Sequence, residues 1–168
     1  MVSRWESGDG SRYVVHLARW GAAVGLDVSI RTFVGGSPLR DAGQLRVLRR
    51  ARSAIGERWT WRTEVPVSDD PRDRRAFDAV LSQGGFRIGL EVITRLTDVQ
   101  AQTRAALLKQ EAAGLDRMVL VLALTRRNRM ALRSASPTLQ PGFPMTPRGI
   151  LAELRAGRWP VANGIFLV

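Results

Sequence analysis

Hydrophobic and polar positions change period several times along this chain, and each change marks an element. Over 14–24 the apolar positions Val14, Leu17, Ala18, Trp20, Gly21 and Val24 recur at helical spacings, as one buried helix face requires. Gly25 follows as a left-handed C-cap. His16 lies off the stripe and reads as a partly exposed helix residue with no special role. The run 28–33 alternates as a short strand, broken by Gly35, Gly36 and Pro38. A second helix is predicted over 39–55, where Leu45, Leu48, Ala51 and Ile55 form a stripe with Arg46, Arg49, Arg50 and Arg52 largely off it. Ser37 suits its N-cap, Pro38 its first turn and Gly56 its end.

Three strand-like runs come next, at 59–66, 75–82 and 87–94, the last two joined by a Ser82-Gln83-Gly84-Gly85 hairpin turn. Positions 97–113 then read as a helix with Thr97 as N-cap and Gly114 past its end. The stretch 117–124 is almost continuously apolar, as a strand buried on both faces is. An arginine-rich turn at 125–129, a proline-rich loop at 137–147, a helix at 147–156 and an apolar strand at 165–168 complete the chain. The fold class is α/β: an αβββαβ order with a mixed central sheet flanked by helices.

Composition narrows the chemistry. At 168 residues and 45% hydrophobic, the chain is long enough for one domain with a real core, or one domain with a fragment attached. No apolar run approaches the ~20 residues that span a bilayer, and 1–6 is not a secretory leader, so a cytoplasmic protein with no membrane partner is expected. Without cysteine, and with His16 as the lone histidine, disulfides, thiolate metal sites and histidine-rich zinc sites are excluded. Any metal would be a hard cation held by carboxylates, Mg²⁺ or Mn²⁺. The 26 basic residues outnumber the 15 acidic ones, and all but Lys109 are arginines. Arginine forks match phosphate oxygens in pairs, so the excess points to nucleic acid, DNA ahead of RNA. A GC-rich genome would explain arginine in place of lysine, but not the excess of charge.

Two acids interrupt strands otherwise built for burial: Asp78 within 76–81 and Glu91 within 88–93. Desolvating a carboxylate costs several kcal/mol or more unless a cation, metal or donor offsets it, so the pair marks a site. Paired carboxylates can hold a hard cation that polarises a phosphate and lowers the pKa of an attacking water. The structural alternative is an ion pair of Asp78 with Arg62, Arg87 or Arg95. Arg95 and the 125–129 arginines each follow the end of a core strand, where α/β sheets usually bind ligands.

The element order and the two acids resemble the core of the PD-(D/E)XK nuclease superfamily over about two thirds of the chain. The resemblance implies a restriction-endonuclease-like fold, Mg²⁺ or Mn²⁺ held by Asp78 and Glu91, and Glu64 on the first core strand as a further catalytic acid. It also asks for a lysine where this chain has Ile93, and a proline where it has Phe77. Lysine moves to the following helix in some members, but Lys109 lies about three turns into it and is expected to be too far away. Weak or lost nuclease activity follows, with Ile93→Lys expected to raise it. Thr94-Arg95-Leu96-Thr97-Asp98-Val99-Gln100 and Thr125-Arg126-Arg127-Asn128-Arg129 resemble segments of the C-terminal domain of actinobacterial helix-turn-helix regulators. Ser3-Arg4-Trp5-Glu6-Ser7-Gly8 and Ala22-Ala23-Val24-Gly25-Leu26 resemble the end of an XRE-type helix-turn-helix. The resemblances imply a helix-turn-helix remnant plus strand over 1–34, either the rest of a longer regulator or the result of a misplaced start, and a PD-(D/E)XK-like domain over 35–168. Arg62, Arg95, Gln100, Arg126, Arg127 and Arg129 are the candidate nucleic-acid contacts. The competing expectations are a non-enzymatic sensing or dimerisation domain, with a homodimer as partner, and an active Mg²⁺-dependent DNase of a defence or toxin system.

Overall fold

The computed structural model describes residues 16, 19–25 and 38–168. The chain divides into two compact units, Met1–Gly36 and Ser37–Val168. In the first, residues 19–23 are helical, His16 is helical and exposed, and Gly25 takes φ 73°, the left-handed conformation that ends a helix at low cost for glycine. The alternating run 28–33 and the segment 3–8 lie outside the described residues.

The second unit runs α1 (Pro38–Ile55), β1 (Thr60–Pro66), β2 (Ala76–Gln83), β3 (Phe86–Ile93), α2 (Val99–Ala112), β4 (Arg117–Leu122), α3 (Arg126–Ser134), α4 (Ser136–Leu139), α5 (Pro147–Ala156) and β5 (Gly164–Leu167). The expected αβββαβ order is present. One five-stranded sheet has the order β1-β2-β3-β4-β5. β1, β2 and β3 pair antiparallel, and β4 pairs parallel with both β3 and β5, so the sheet is mixed. Among the described residues no helix is long and apolar enough to cross a membrane.

Two hydrophobic clusters lie on the two faces. Val47, Ala51 and Ile55 of α1 and Ile150 and Leu154 of α5 pack with Leu81, Leu90 and Val121. On the other side, Ala106 of α2 and Leu139 of α4 pack with Met118, Leu120 and Leu122. β4 feeds alternate side chains to both clusters, which explains its unbroken apolar sequence. The Gly84-Gly85 turn is present with both glycines at positive φ, as a tight hairpin requires.

Three local expectations are corrected. Thr97 does not cap α2: Asp98 does, its Oδ1 accepting the Ala101 N–H at 2.9 Å. The arginine-rich segment at 126–129 is the first turn of a helix, capped by the Thr125 side chain, which accepts the Asn128 N–H at 3.1 Å. The proline-rich stretch begins inside the short helix α4.

The sheet is distorted where the acids sit. β1 and β2 pair in one register from Thr60↔Ser82 to Pro66↔Ala76, except at Glu64, which faces Asp78 without a ladder pair. Glu64 has φ 51°, alone among the described non-glycine residues in the left-handed region, an uncommon and strained choice within a strand. Side chains change layer across this point. Trp61 and Leu81 join the α1–α5 cluster, whereas Val65 and Phe77, of the same strand parity, join the α2–α4 cluster.

Candidate active site

The β2–β3 ladder runs from Gln83↔Phe86 to Ala79↔Leu90 and stops there. The next pair in that register is Asp78 with Glu91. From this point β2 continues on β1 alone and β3 on β4 alone, so the strands open as a fork. Asp78 Oδ2 accepts the Val92 N–H at 2.6 Å, so a side chain takes the place of a backbone partner at the fork.

Lys109 of α2 closes the fork from above. Its Nζ donates to Glu91 Oε1 at 2.9 Å, to Glu91 Oε2 at 3.0 Å and to the Ala76 carbonyl of β2 at 2.8 Å. An ammonium has three donors, and all are used. The Lys109 and Glu91 side chains are only 19% and 17% exposed, so the pair is shielded from solvent screening. This overturns the expectation that Lys109 lies too far into its helix to reach the acids. The motif position Ile93 is half-buried against the α2-side cluster and pairs with Leu122, so it contributes packing and no donor.

Burial pushes the Glu91 carboxyl up to about 7; Lys109 opposes the shift by charge and hydrogen bonding, while Asp78 adds to it. Asp78 is also raised, again by burial first, against the Val92 N–H and Lys109, with Glu64 adding to the rise. Two half-buried acids that resist ionisation beside one ammonium still call for positive charge.

Glu64 is exposed on β1 and acts on Asp78 through its charge. Among the described residues no group of three or more histidine, aspartate or glutamate side chains is placed to hold a metal ion. The donor set is therefore two carboxylates at a fork. That fits Mg²⁺, which keeps several waters and takes one or two carboxylates plus substrate phosphate.

Among the described residues the ion pairs are Arg75–Asp73, Lys109–Glu91 and Arg158–Glu153. Asp78 is paired with none of Arg62, Arg87 or Arg95, so the arginine-paired alternative is corrected: the fork's cation is lysine.

The candidate nucleic-acid contacts are all exposed: Arg62 on β1, Arg95 after β3, Gln100 in the first turn of α2, and Arg126, Arg127 and Arg129 in the first turn of α3. β3 and β4 are parallel, so Arg95 and the α3 arginines emerge at one sheet end, the end toward which the fork opens. The residue that joins these two segments, Asn128, stood in the sequence only as part of the 125–129 motif, with no role of its own. Asn128 is 1% exposed. Its Oδ1 accepts the Leu96 N–H at 2.9 Å, and its Nδ2 donates to the Thr94 carbonyl at 3.1 Å and the Ala123 carbonyl at 2.9 Å. The only sequence signal was an asparagine three positions after an N-capping threonine, inside a run of arginines.

Comparison of the chain with models of known protein families, with curated proteins and with solved structures finds no match.

Proposed function

We propose that this protein binds nucleic acid and hydrolyses phosphodiester bonds at the Asp78–Glu91–Lys109 fork, on a PD-(D/E)XK-like scaffold whose lysine comes from α2 instead of β3. One observation carries the reading: the chain's lone lysine is held within 3.0 Å of the half-buried Glu91, over the strand pair that bears both acids. Asp78 and Glu91 would hold Mg²⁺ or Mn²⁺, which when bound polarises the phosphate and acidifies a water. Were Glu91 to hold that ion, the Lys109 ammonium it now binds would be free to donate to the phosphate charge that grows in the transition state. With the Glu91 carboxyl raised to about 7, metal uptake near neutral pH would release protons. Arg95, Arg126, Arg127 and Arg129, at the sheet end where the fork opens, supply the phosphate contacts.

A second reading is favoured by a different observation. The Lys109 donors are all satisfied within the protein, as they would be in a structural ion pair of a non-enzymatic sensing or dimerisation domain. Calorimetric titration with Mn²⁺ and a plasmid-cleavage assay, each on wild type and Asp78→Asn, separate the two. Metal uptake and cleavage, both lost in Asp78→Asn, support the phosphodiesterase. A wild type that takes up no metal and cleaves nothing leaves the regulator domain.

A further inference from the structure

The opposite end of the β2–β3 hairpin carries an arrangement that the fork does not use. Trp159, between α5 and β5, is 54% exposed. One face of its ring stacks on Phe86, with centroids 5.2 Å apart and planes 5° from parallel. The Phe86 ring in turn carries the Arg117 guanidinium, 5.7 Å from its centroid. Arg117 is itself fixed, donating from Nε to the Pro160 carbonyl at 2.9 Å and from a terminal nitrogen to the Asp116 carbonyl at 2.6 Å. Gly84 leaves room for the indole: a Cβ there would lie 3.3 Å from the Trp159 ring. The ring is thus supported by a fixed stack and keeps a large part of its surface in water.

One exposed arginine stands beside it. Arg58 packs along Gly157, two residues before Trp159, where an added Cβ would come 3.0 Å from its Cδ. It forms no ion pair among the described residues.

We propose that Trp159 is a stacking platform for an unpaired base of a single-stranded nucleic acid, with Arg58 meeting a neighbouring phosphate. A rigid, open indole offers a π-face that any base can use, and neighbouring cations track the backbone. A duplex cannot use it, because its bases already stack on one another. The net charge of +11 selects a polyanion over an apolar peptide. Phe86 packs with the α1–α5 cluster, whereas Glu91 is held by Lys109 of α2 on the other side of the sheet, so the platform is a site separate from the fork. The inference rests on the nucleic-acid part of the proposed function and not on cleavage.

The test is fluorescence anisotropy in chelator, with a labelled oligothymidylate of about twelve nucleotides and a duplex of equal length. Trp159→Ala should weaken oligothymidylate binding by about 5- to 150-fold and leave the duplex unchanged. Trp159→Leu, which keeps apolar bulk without a π-face, should behave like alanine, and Trp159→Phe should retain most of the affinity. Equal affinity in wild type and Trp159→Leu overturns the platform, as does a wild type that does not bind the single strand. A wild-type dimer by light scattering that Trp159→Leu dissociates would make the indole a self-interface and also overturn it. Trp159-dependent binding in a protein that cleaves nothing with metal overturns only the phosphodiesterase.

Discussion

Glu91 is the residue on which the site turns, and its energetics can be read without any assay of function. Its carboxyl is raised to about 7 in the folded protein, from an ordinary value of 4.5. A raised acid binds a proton in the native state that the unfolded chain has already lost. Its contribution to stability is therefore complete below about pH 4.5 and lost as pH climbs to about 7. The shift corresponds to about 3 kcal/mol, and the raised Asp78 acts in the same sense. Denaturant titrations are expected to show stability falling between pH 5 and pH 7, with a flatter profile in Glu91→Gln. The depressed Asp73, held at about 2 by Arg75, acts only at lower pH and leaves this window clean. A profile equally steep in Glu91→Gln would place the proton elsewhere. The two acids were legible in the sequence because apolar strands rarely carry carboxylates. Lys109 was not, because distance along a helix was mistaken for distance in space. α2 packs back over the sheet against β4, so three turns, about 15 Å at 1.5 Å per residue, return it along the sheet, and the long side chain reaches Glu91 on the neighbouring β3.

Among the elements, the strands and the long helices were legible because each buries one face or both, and burial prints a period of two or of three to four on the sequence. α3 printed none. Its first turn exposes Arg126, Arg127 and Arg129, and the inward position is the polar Asn128, so the segment read as a turn. The kink at Glu64 was equally silent: one left-handed residue preserves the alternation in sequence while moving the side chains beyond it to the other layer. Asn128 is the test of how α3 is held. Asn128→Ala leaves the Leu96 N–H and the Thr94 and Ala123 carbonyls without these partners, and buried unsatisfied groups cost ~1–3 kcal/mol each. Partial rescue by water brings the expected loss to about 3 kcal/mol. Hydrogen exchange should quicken at 94–97 and 123–129 while β2 and β3 stay protected. Unchanged exchange in these segments would show that packing alone holds α3.

At the scale of the whole molecule, charge and site have to act together. With a net charge of +11 and arginines gathered at the fork's open end, binding should fall steeply with salt: neutralising about six phosphates implies a loss of ~10³ in affinity between 50 and 200 mM. Affinity that stays flat in that range would remove the polyanion partner. Cleavage makes the sharper demand, since it needs the ion, the water and compensation of growing phosphate charge at one point. Lys109 is the group that answers the last need, so Lys109→Met is expected to lower the cleavage rate about 10²–10³-fold. Ile93 lies two positions after Glu91 on the same strand, hence on the same face. In the wild type, Ile93→Lys should not raise activity, because it sets a second cation beside Lys109 and removes apolar packing against the α2-side cluster. In the Lys109→Met background the same change should recover part of the lost rate, since the cation is then supplied from the strand. Recovery in the double variant would show that one cation, reachable from two elements, completes the site. Wild-type activity indifferent to Lys109→Met would remove lysine from the chemistry. A wild type inert with both Mg²⁺ and Mn²⁺ would make the fork a half-buried structural ion pair, and the protein a binding domain.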